Sequence, residues 1–112
     1  MSQLTTHILD TTKGKPAAGI TILLFQQLED AWQLVTSGKT NNDGRIPDLL
    51  NKEALLAPGN YKMKFETKQY FDTQGVHTFY PFIEIAFTIT GNEHYHVPLL
   101  LNPFGYSTYR GS

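Results

Sequence analysis

The sequence contains no cysteine among its 112 residues. This absence excludes disulfide bonds, thiolate zinc sites, iron–sulfur clusters and a cysteine nucleophile. A chain of this length predicts a single domain, here residues 1–112, with one modest hydrophobic core. Because cysteine is absent, any reaction that the chain carries out must use other polar side chains.

Charged residues are also scarce, at 17% of the chain against about 25% in typical globular domains. The shortage is local, because Glu84 and Glu93 are the formally charged residues between Thr73 and Tyr109. Such a stretch fits a core rich in strands. It fits equally well a surface that is buried between subunits, since interface cores are depleted of charge.

Other absences bear on partners and location. The formal net charge is −1 and no basic run is present, so the sequence predicts no nucleic-acid partner. No apolar run approaches the roughly 18–20 residues that cross a bilayer, so no membrane partner is predicted. The opening residues MSQLTTHILD lack the basic and apolar regions of a secretory signal. We therefore expect a cytoplasmic protein.

Hydrophobicity along the chain has a period of two, which predicts β-strands. Tyr61–Glu66 alternates strictly between apolar and charged residues, and Ile83–Thr90 alternates more weakly. Ile20–Phe25 is a continuous apolar run, which is typical of a strand buried on both faces. Short strands separated by turn sequences predict an all-β sandwich or a small barrel. Two short segments are candidates for helices, Asp48–Leu56 and Thr67–Gln74.

Three histidines on predicted strands are candidates for chemistry. His7 has Thr5 and Leu9 as neighbours on its own face. His94 and His96 are two residues apart, so their side chains project to one face, about 7 Å from each other. Such a pair suits a metal site, or acid–base work near neutral pH, or a surface pair beside a turn. His96 is the stronger candidate, because His94 lies closer to a turn.

The two arginines and the C-terminal end are further candidates. Arg45 follows the turn sequence Asn41–Gly44, where an arginine is either solvated or available to bind paired acceptors such as ureides. Pro103–Tyr109 remains aromatic and is followed by Arg110–Ser112, with Arg110 as the second arginine. Because chain ends usually fray into polar tails, this one is expected to dock against the fold.

Five segments of the chain resemble the transthyretin-related family. They are Thr6–Asp10, Gly14–Ala17, Thr40–Arg45, His94–Leu101 and Tyr106–Ser112. The resemblance runs from Leu4 to Ser112, and the closing Tyr109–Ser112 is its most specific part. It implies a two-sheet, eight-stranded transthyretin-like β-sandwich with one short helix near Thr67–Gln74.

The same resemblance implies an activity and an assembly. The activity is hydrolytic opening of the pyrimidine ring of 5-hydroxyisourate, which gives 2-oxo-4-hydroxy-4-carboxy-5-ureidoimidazoline in urate breakdown. The assembly is a homotetramer, a dimer of dimers, with active sites at the dimer–dimer interface. No metal and no cofactor are expected. The implied catalytic residues are His7, Arg45 and His96, and the implied substrate-binding residues are these three with Tyr109, Arg110, Gly111 and Ser112.

Two other classes of function are compatible with a β-sandwich. A carrier of small aromatic ligands would share the fold and the channel, but it would not need His7, Arg45 and His96 together. A structural or adhesive domain would be expected to be monomeric, whereas the charge-poor half of this chain favours an interface.

Overall fold

The computed structural model describes residues 2–111, which form eight β-strands and one α-helix. In chain order these are β1 Leu4–Asp10, β2 Lys15–Pro16, β3 Thr21–Leu28, β4 Ala31–Lys39, β5 Gly59–Phe65, α1 Thr67–Asp72, β6 Ile83–Ile89, β7 Tyr95–Asn102 and β8 Gly105–Thr108. One sheet has the strand order β2-β1-β7-β8 and the other β4-β3-β5-β6. The predicted all-β sandwich of two sheets, eight strands and one short helix is confirmed.

The core lies between the two sheets and follows from the period of two in the sequence. Ile8 and Leu99 contribute from the first sheet, and Ile22 and Met63 from the second, and all four are fully buried. Burial in β1 alternates, so the residues next to Ile8, including His7, lie on the outer face of the first sheet.

The pairing of β1 with β7 joins the two ends of the chain. The two strands are parallel, with Thr5 opposite His96 and His7 opposite Pro98. Residues that face each other across a ladder project to the same side of the sheet. Thr5, His7 and His96 therefore share the outer face, although the chain separates them by almost its whole length.

The helix is attached to the end of β1 by a buried carboxylate. The Tyr70 hydroxyl of α1 donates a hydrogen bond of 2.7 Å to Oδ2 of Asp10, which is the last residue of β1. Burial, followed by that hydrogen bond, raises the pKa of Tyr70 to about 12. The Oδ1 atom of Asp10 accepts from the backbone N–H groups of Thr12 and Lys13. The turn after β1 and the helix are thus fixed to one side chain.

Two local expectations differ from the structure. Asp48–Leu56 forms turns rather than a helix, because Oδ1 of Asn51 accepts from the backbone N–H of Glu53 and so competes with helical bonding. In β3, Ile22 and Leu24 are buried, whereas the residues between and after them are partly exposed. The apolar run in β3 therefore covers one sheet face fully and the other only in part.

In residues 2–111, no helix is long and apolar enough to cross a membrane.

Candidate active site

A tight turn brings Arg45 beside His7. The backbone N–H of Gly44 donates to the carbonyl of Asn41 at 2.9 Å, and the N–H of Asn41 donates to the carbonyl of Arg45 at 2.8 Å. The N–H of Ile8 then donates to the carbonyl of Gly44 at 2.9 Å. As a result, His7 and Arg45 form an antiparallel bridge at the edge of β1.

This close approach depends on glycine at position 44. Gly44 has φ of 72°, in the left-handed region that L side chains rarely adopt. A Cβ atom there would lie 2.5 Å from the Ile8 carbonyl oxygen and 3.3 Å from Cδ2 of His7. The turn sequence therefore positions Arg45 through its backbone, independently of any side-chain contact.

Thr5 connects His96 of β7 with His94, the residue that precedes this strand. Its Oγ1 atom lies 2.8 Å from Nδ1 of His96 and 2.9 Å from Nε2 of His94. The two imidazole rings are stacked, with centroids 6.4 Å apart and planes inclined by 20°. The expectation that His94 and His96 share a face is confirmed, and the threonine hydroxyl lies within hydrogen-bonding distance of both.

The charges of the site favour neutral imidazoles. Burial, followed by the positive charge of Arg45, lowers the pKa of His7, against smaller opposing effects of Asp43. Burial also lowers the pKa of His96, followed by Arg45, His94 and His7. The pKa of each imidazole therefore responds to Arg45, so the three predicted catalytic side chains interact electrostatically.

The end of the chain covers His96. The backbone N–H of Gly111 donates to the His96 carbonyl at 2.8 Å, which extends the antiparallel pairing of β8 with β7. A Cβ atom at Gly111 would lie 2.5 Å from Cδ2 of the His96 ring, so only glycine fits there. Tyr109 is 60% exposed. Ser112, the last residue of the predicted substrate-binding set, lies outside the described residues.

Arg110 lies on the other side of the sheet from His96. Its guanidinium carbon is 4.5 Å from the centre of the Tyr95 ring, and Tyr95 belongs to the buried core. A guanidinium nitrogen lies 3.9 Å from a carboxylate oxygen of Glu93. The structure therefore does not bring Arg110 together with His7 and Arg45 within one subunit, and its contact with substrate stays a prediction.

A cavity of about 260 Å³ adjoins the site, with Thr5, Asp43, Arg45 and Lys52 in its wall. Within residues 2–111 no group of three or more His, Cys, Asp or Glu side chains is arranged to hold a metal ion. The site offers two imidazoles whose neutral form is favoured, together with one guanidinium. It also offers hydroxyl groups and backbone N–H donors. Such a set suits the activation of water and the binding of a planar polar molecule.

Sequence reasoning missed the contribution of two neighbours. The sequence marks Thr5 only as a residue on the same face as His7, yet its side chain contacts both His94 and His96. Asp43 was part of a turn sequence, and its backbone and charge both act on His7. Spacing along β1 gave a signal for Thr5, because it lies two residues before His7 on the same face.

A family model described as the HIUase/Transthyretin family matches residues 4–111. Among similar curated proteins, the 5-hydroxyisourate hydrolase of Salmonella dublin is 49% identical over 110 residues, which cover 97% of this chain and 80% of that protein. These matches cover the strands that carry His7 and His96 and the turn that carries Arg45.

Solved structures give the same result for the fold. The structure of Klebsiella pneumoniae 5-hydroxyisourate hydrolase matches with a TM-score of 0.86 and 38% identity, covering 99% of this chain and 100% of that chain. Transthyretin from Sparus aurata matches with a TM-score of 0.92 and 32% identity, covering 99% of this chain and 97% of that chain. Hydrolases and transthyretins therefore share this sandwich, so the fold alone does not distinguish them.

Proposed function

The chain belongs to the HIUase/transthyretin family, and from this membership we propose that it is an enzyme that hydrolyses 5-hydroxyisourate. The proposed product is 2-oxo-4-hydroxy-4-carboxy-5-ureidoimidazoline, formed by opening of the pyrimidine ring during urate breakdown. The observation that carries the proposal is the convergence of His7, Arg45 and His96 on one sheet face, where Arg45 lowers the pKa of both imidazoles.

The proposed reaction begins with water, which is a weak nucleophile near neutral pH. A neutral imidazole of His7 or His96 removes a proton from water while the oxygen bonds to the ring carbonyl carbon. The carbon–nitrogen bond of the ring then breaks, the protonated imidazole returns its proton to the leaving nitrogen, and the new carboxylic acid releases its remaining proton to solvent to become a carboxylate. Burial favours this chemistry, because it keeps the imidazoles in their basic form.

The proposed role of Arg45 is to bind the substrate and stabilise charge. Its guanidinium has the fork geometry that suits the paired oxygens of a cyclic ureide. A fixed positive charge beside the attacked carbonyl also stabilises the oxyanion that forms there. In this scheme the chain itself supplies every group, so neither a metal nor a cofactor takes part.

The proposed substrate pocket includes the C-terminal segment. Gly111 already packs against the His96 ring, and contact of Tyr109 and Ser112 with the substrate is part of the proposal. Arg110 anchors this segment through Tyr95 in one subunit, and its contact with substrate is part of the proposal. Deletion of residues 110–112 is expected to lower turnover while preserving the β-sheet spectrum in circular dichroism.

The proposed assembly is a homotetramer, a dimer of dimers with sites between the dimers. Two features support it, the scarcity of charge between Thr73 and Tyr109 and the position of β6 and β8 at sheet edges. Edge strands offer unpaired backbone groups to another copy of the chain. We also propose that residues 1–112 act as one domain in the cytoplasm. Size-exclusion chromatography with light scattering tests the assembly, and a monomer would contradict it.

The test of the proposed residues compares four single variants. His7→Asn, Arg45→Gln and His96→Asn are each expected to lower kcat/KM for freshly made 5-hydroxyisourate by about 10²-fold or more. His77→Asn is the control, because the centre of the His77 ring lies 5.9 Å from that of the Phe104 ring, with the planes inclined by 56°, outside the site. Wild-type rates in all three site variants would contradict the assignment. Tight binding of an aromatic ligand without turnover by the wild type would favour the carrier instead.

A further inference from the structure

Thr5, His94 and His96 form a chain of hydrogen bonds on the outer face of the first sheet. The Thr5 hydroxyl is 2.8 Å from one ring and 2.9 Å from the other. Because His94 belongs neither to the predicted catalytic residues nor to the substrate-binding residues, this contact is not explained by the proposed reaction.

The number of protons available limits the directions in which these hydrogen bonds can run. A threonine hydroxyl has one proton to donate, and a neutral imidazole has one N–H and one bare nitrogen. Thr5 therefore donates to one histidine and accepts from the other. If it donates to His94, then Nδ1 of His96 carries the proton and Nε2 of His96 is bare. If it donates to His96, the opposite tautomer results.

Two observations favour the first arrangement. The backbone of Thr5 forms a hydrogen bond with the His96 ring that raises the pKa of His96 and so favours a protonated ring nitrogen beside Thr5, and the ring nitrogen next to the Thr5 hydroxyl is Nδ1. Among residues 2–111, Nε2 of His96 has no hydrogen-bond partner, whereas Nδ1 is bonded to Thr5. A proton on Nδ1 is thus held by Thr5, and the lone pair lies on Nε2, which has no partner within residues 2–111.

We propose that Thr5 and His94 are positioning residues that hold His96 in the tautomer with a proton on Nδ1 and a bare Nε2, which makes His96 the general base of the site. This inference rests on the proposed hydrolase function and divides the work between the two catalytic histidines. The partner of one ring nitrogen determines which nitrogen carries the proton, a general property of histidine.

Charged groups around His96 act on this arrangement from three elements. Arg45 from the turn, His7 from β1 and His94 from the loop before β7 all lower the pKa of His96.

The decisive test observes the ring nitrogens directly in the full-length protein. Long-range nitrogen–proton NMR spectra of the neutral protein are expected to give His96 a protonated Nδ1 and an unprotonated Nε2. In Thr5→Val, which removes the hydroxyl but keeps the shape, His96 is expected to shift toward a protonated Nε2. A protonated Nε2 on His96 in the wild type would overturn the proposal, whatever the enzyme activity.

Kinetic measurements separate positioning from general stability. Thr5→Val is expected to lower kcat by about 10-fold or more with little change in KM, since small displacements of a reacting group are costly. Thr5→Ser, which retains the hydroxyl, is expected to restore most of the rate. His94→Gln keeps an acceptor oxygen and is expected to be less impaired than His94→Leu, which has none.

Thr6→Val is the matched control. Thr6 is the next residue of β1, and its hydroxyl donates to the Val97 carbonyl at 2.7 Å without touching either imidazole. This variant is expected to lose stability but to keep the His96 tautomer and kcat. Equal losses of kcat in Thr5→Val and Thr6→Val, without rescue by serine, would overturn the positioning role. If the wild type does not hydrolyse 5-hydroxyisourate, the proposed function fails, while the NMR spectra still decide the tautomer.

Discussion

The backbones of His7 and Arg45 form an antiparallel bridge, which keeps the Arg45 guanidinium beside an imidazole whose pKa it lowers. The same charge lowers the pKa of His96 on the neighbouring strand. Neither histidine is fully buried, so both remain accessible to a small molecule. One guanidinium thus influences both candidate bases, and this coupling can be measured without substrate.

Removal of the Arg45 charge is expected to raise the pKa of both histidines. Arg45→Gln removes a positive charge that opposes protonation, so the NMR titration curves of His7 and His96 should move to higher pH. The two imidazoles stay partly buried in this variant, so this change alone should not raise either pKa above the ordinary value for histidine. Arg110→Gln removes the same charge from the other side of the sheet and should leave the His7 curve in place. Unchanged curves in Arg45→Gln would contradict the coupling.

Activity and stability are both expected to fall at acidic pH. The pKa values of His7 and His96 are lowered from 6.5 in the folded chain, so the unfolded chain binds more protons below that pH. Their contribution to the free energy of unfolding is therefore complete above pH 6.5 and is lost as the pH falls through the lowered values.

The pH profile of kcat/KM should follow the same groups, since the neutral imidazoles are the proposed bases. It should rise through a midpoint below pH 6.5 and reach a plateau near neutrality. In the double variant that combines His7→Asn and His96→Asn, the free energy of unfolding measured with denaturant should depend less on pH in this range. A kinetic midpoint clearly above pH 6.5 would argue against burial and Arg45 as the controlling effects.

Gly111→Ala is expected to impair catalysis through His96. The new Cβ atom would lie 2.5 Å from Cδ2 and 3.2 Å from Cγ of the ring, so either the ring or the terminal segment must move. We expect kcat to fall by about 10-fold or more, because small displacements of a reacting group are costly. Gly105→Ala is the control, since its nearest neighbours are side-chain atoms of Asn102 at 3.6 and 3.7 Å. Equal activities of the two variants would contradict the packing of Gly111 on His96.

Gly44→Ala is expected to destabilise the fold more than Gly14→Ala. Both glycines have positive φ, of 72° and 66°, so each substitution carries a conformational cost of roughly 1–2 kcal/mol. At Gly14 a Cβ atom meets nothing within 4 Å, whereas at Gly44 it approaches the Ile8 carbonyl oxygen. Overpacking of this kind adds about 1–3 kcal/mol. Urea unfolding of both variants measures the difference, and equal losses would show that the turn at Arg45 is not closely packed.

The strands were largely predictable, because alternation of apolar and polar residues indicates which face of a sheet is exposed to solvent. Tyr61–Glu66 and Ile83–Thr90 correspond closely to β5 and β6. The helix Thr67–Asp72 lies within the predicted Thr67–Gln74. The structure of Asp48–Leu56 was harder to predict from the sequence. A hydrogen bond accepted by the Asn51 side chain determines its local structure, and such a bond leaves no periodic pattern in the sequence.

The site was predictable from the resemblance but not from the chain alone. Periodicity placed His7 and His96 on strands, yet only the parallel register of β1 with β7 brings their faces together. Arg45 reaches His7 through backbone hydrogen bonds of the turn, which side-chain chemistry does not reveal. The contact between Thr5 and His94 joins residues 89 positions apart. Register and long-range contacts of this kind are tertiary properties, so spacing along the sequence carries little information about them.

The most direct measurement of the central claim is the fate of freshly made 5-hydroxyisourate with the wild-type protein in water enriched in oxygen-18. If His7, Arg45 and His96 activate water for ring opening, ultraviolet absorbance should decay far faster than the spontaneous rate, and the product should carry one labelled oxygen in its new carboxylate. Decay at the spontaneous rate, at a pH where both imidazoles are neutral, would contradict the account.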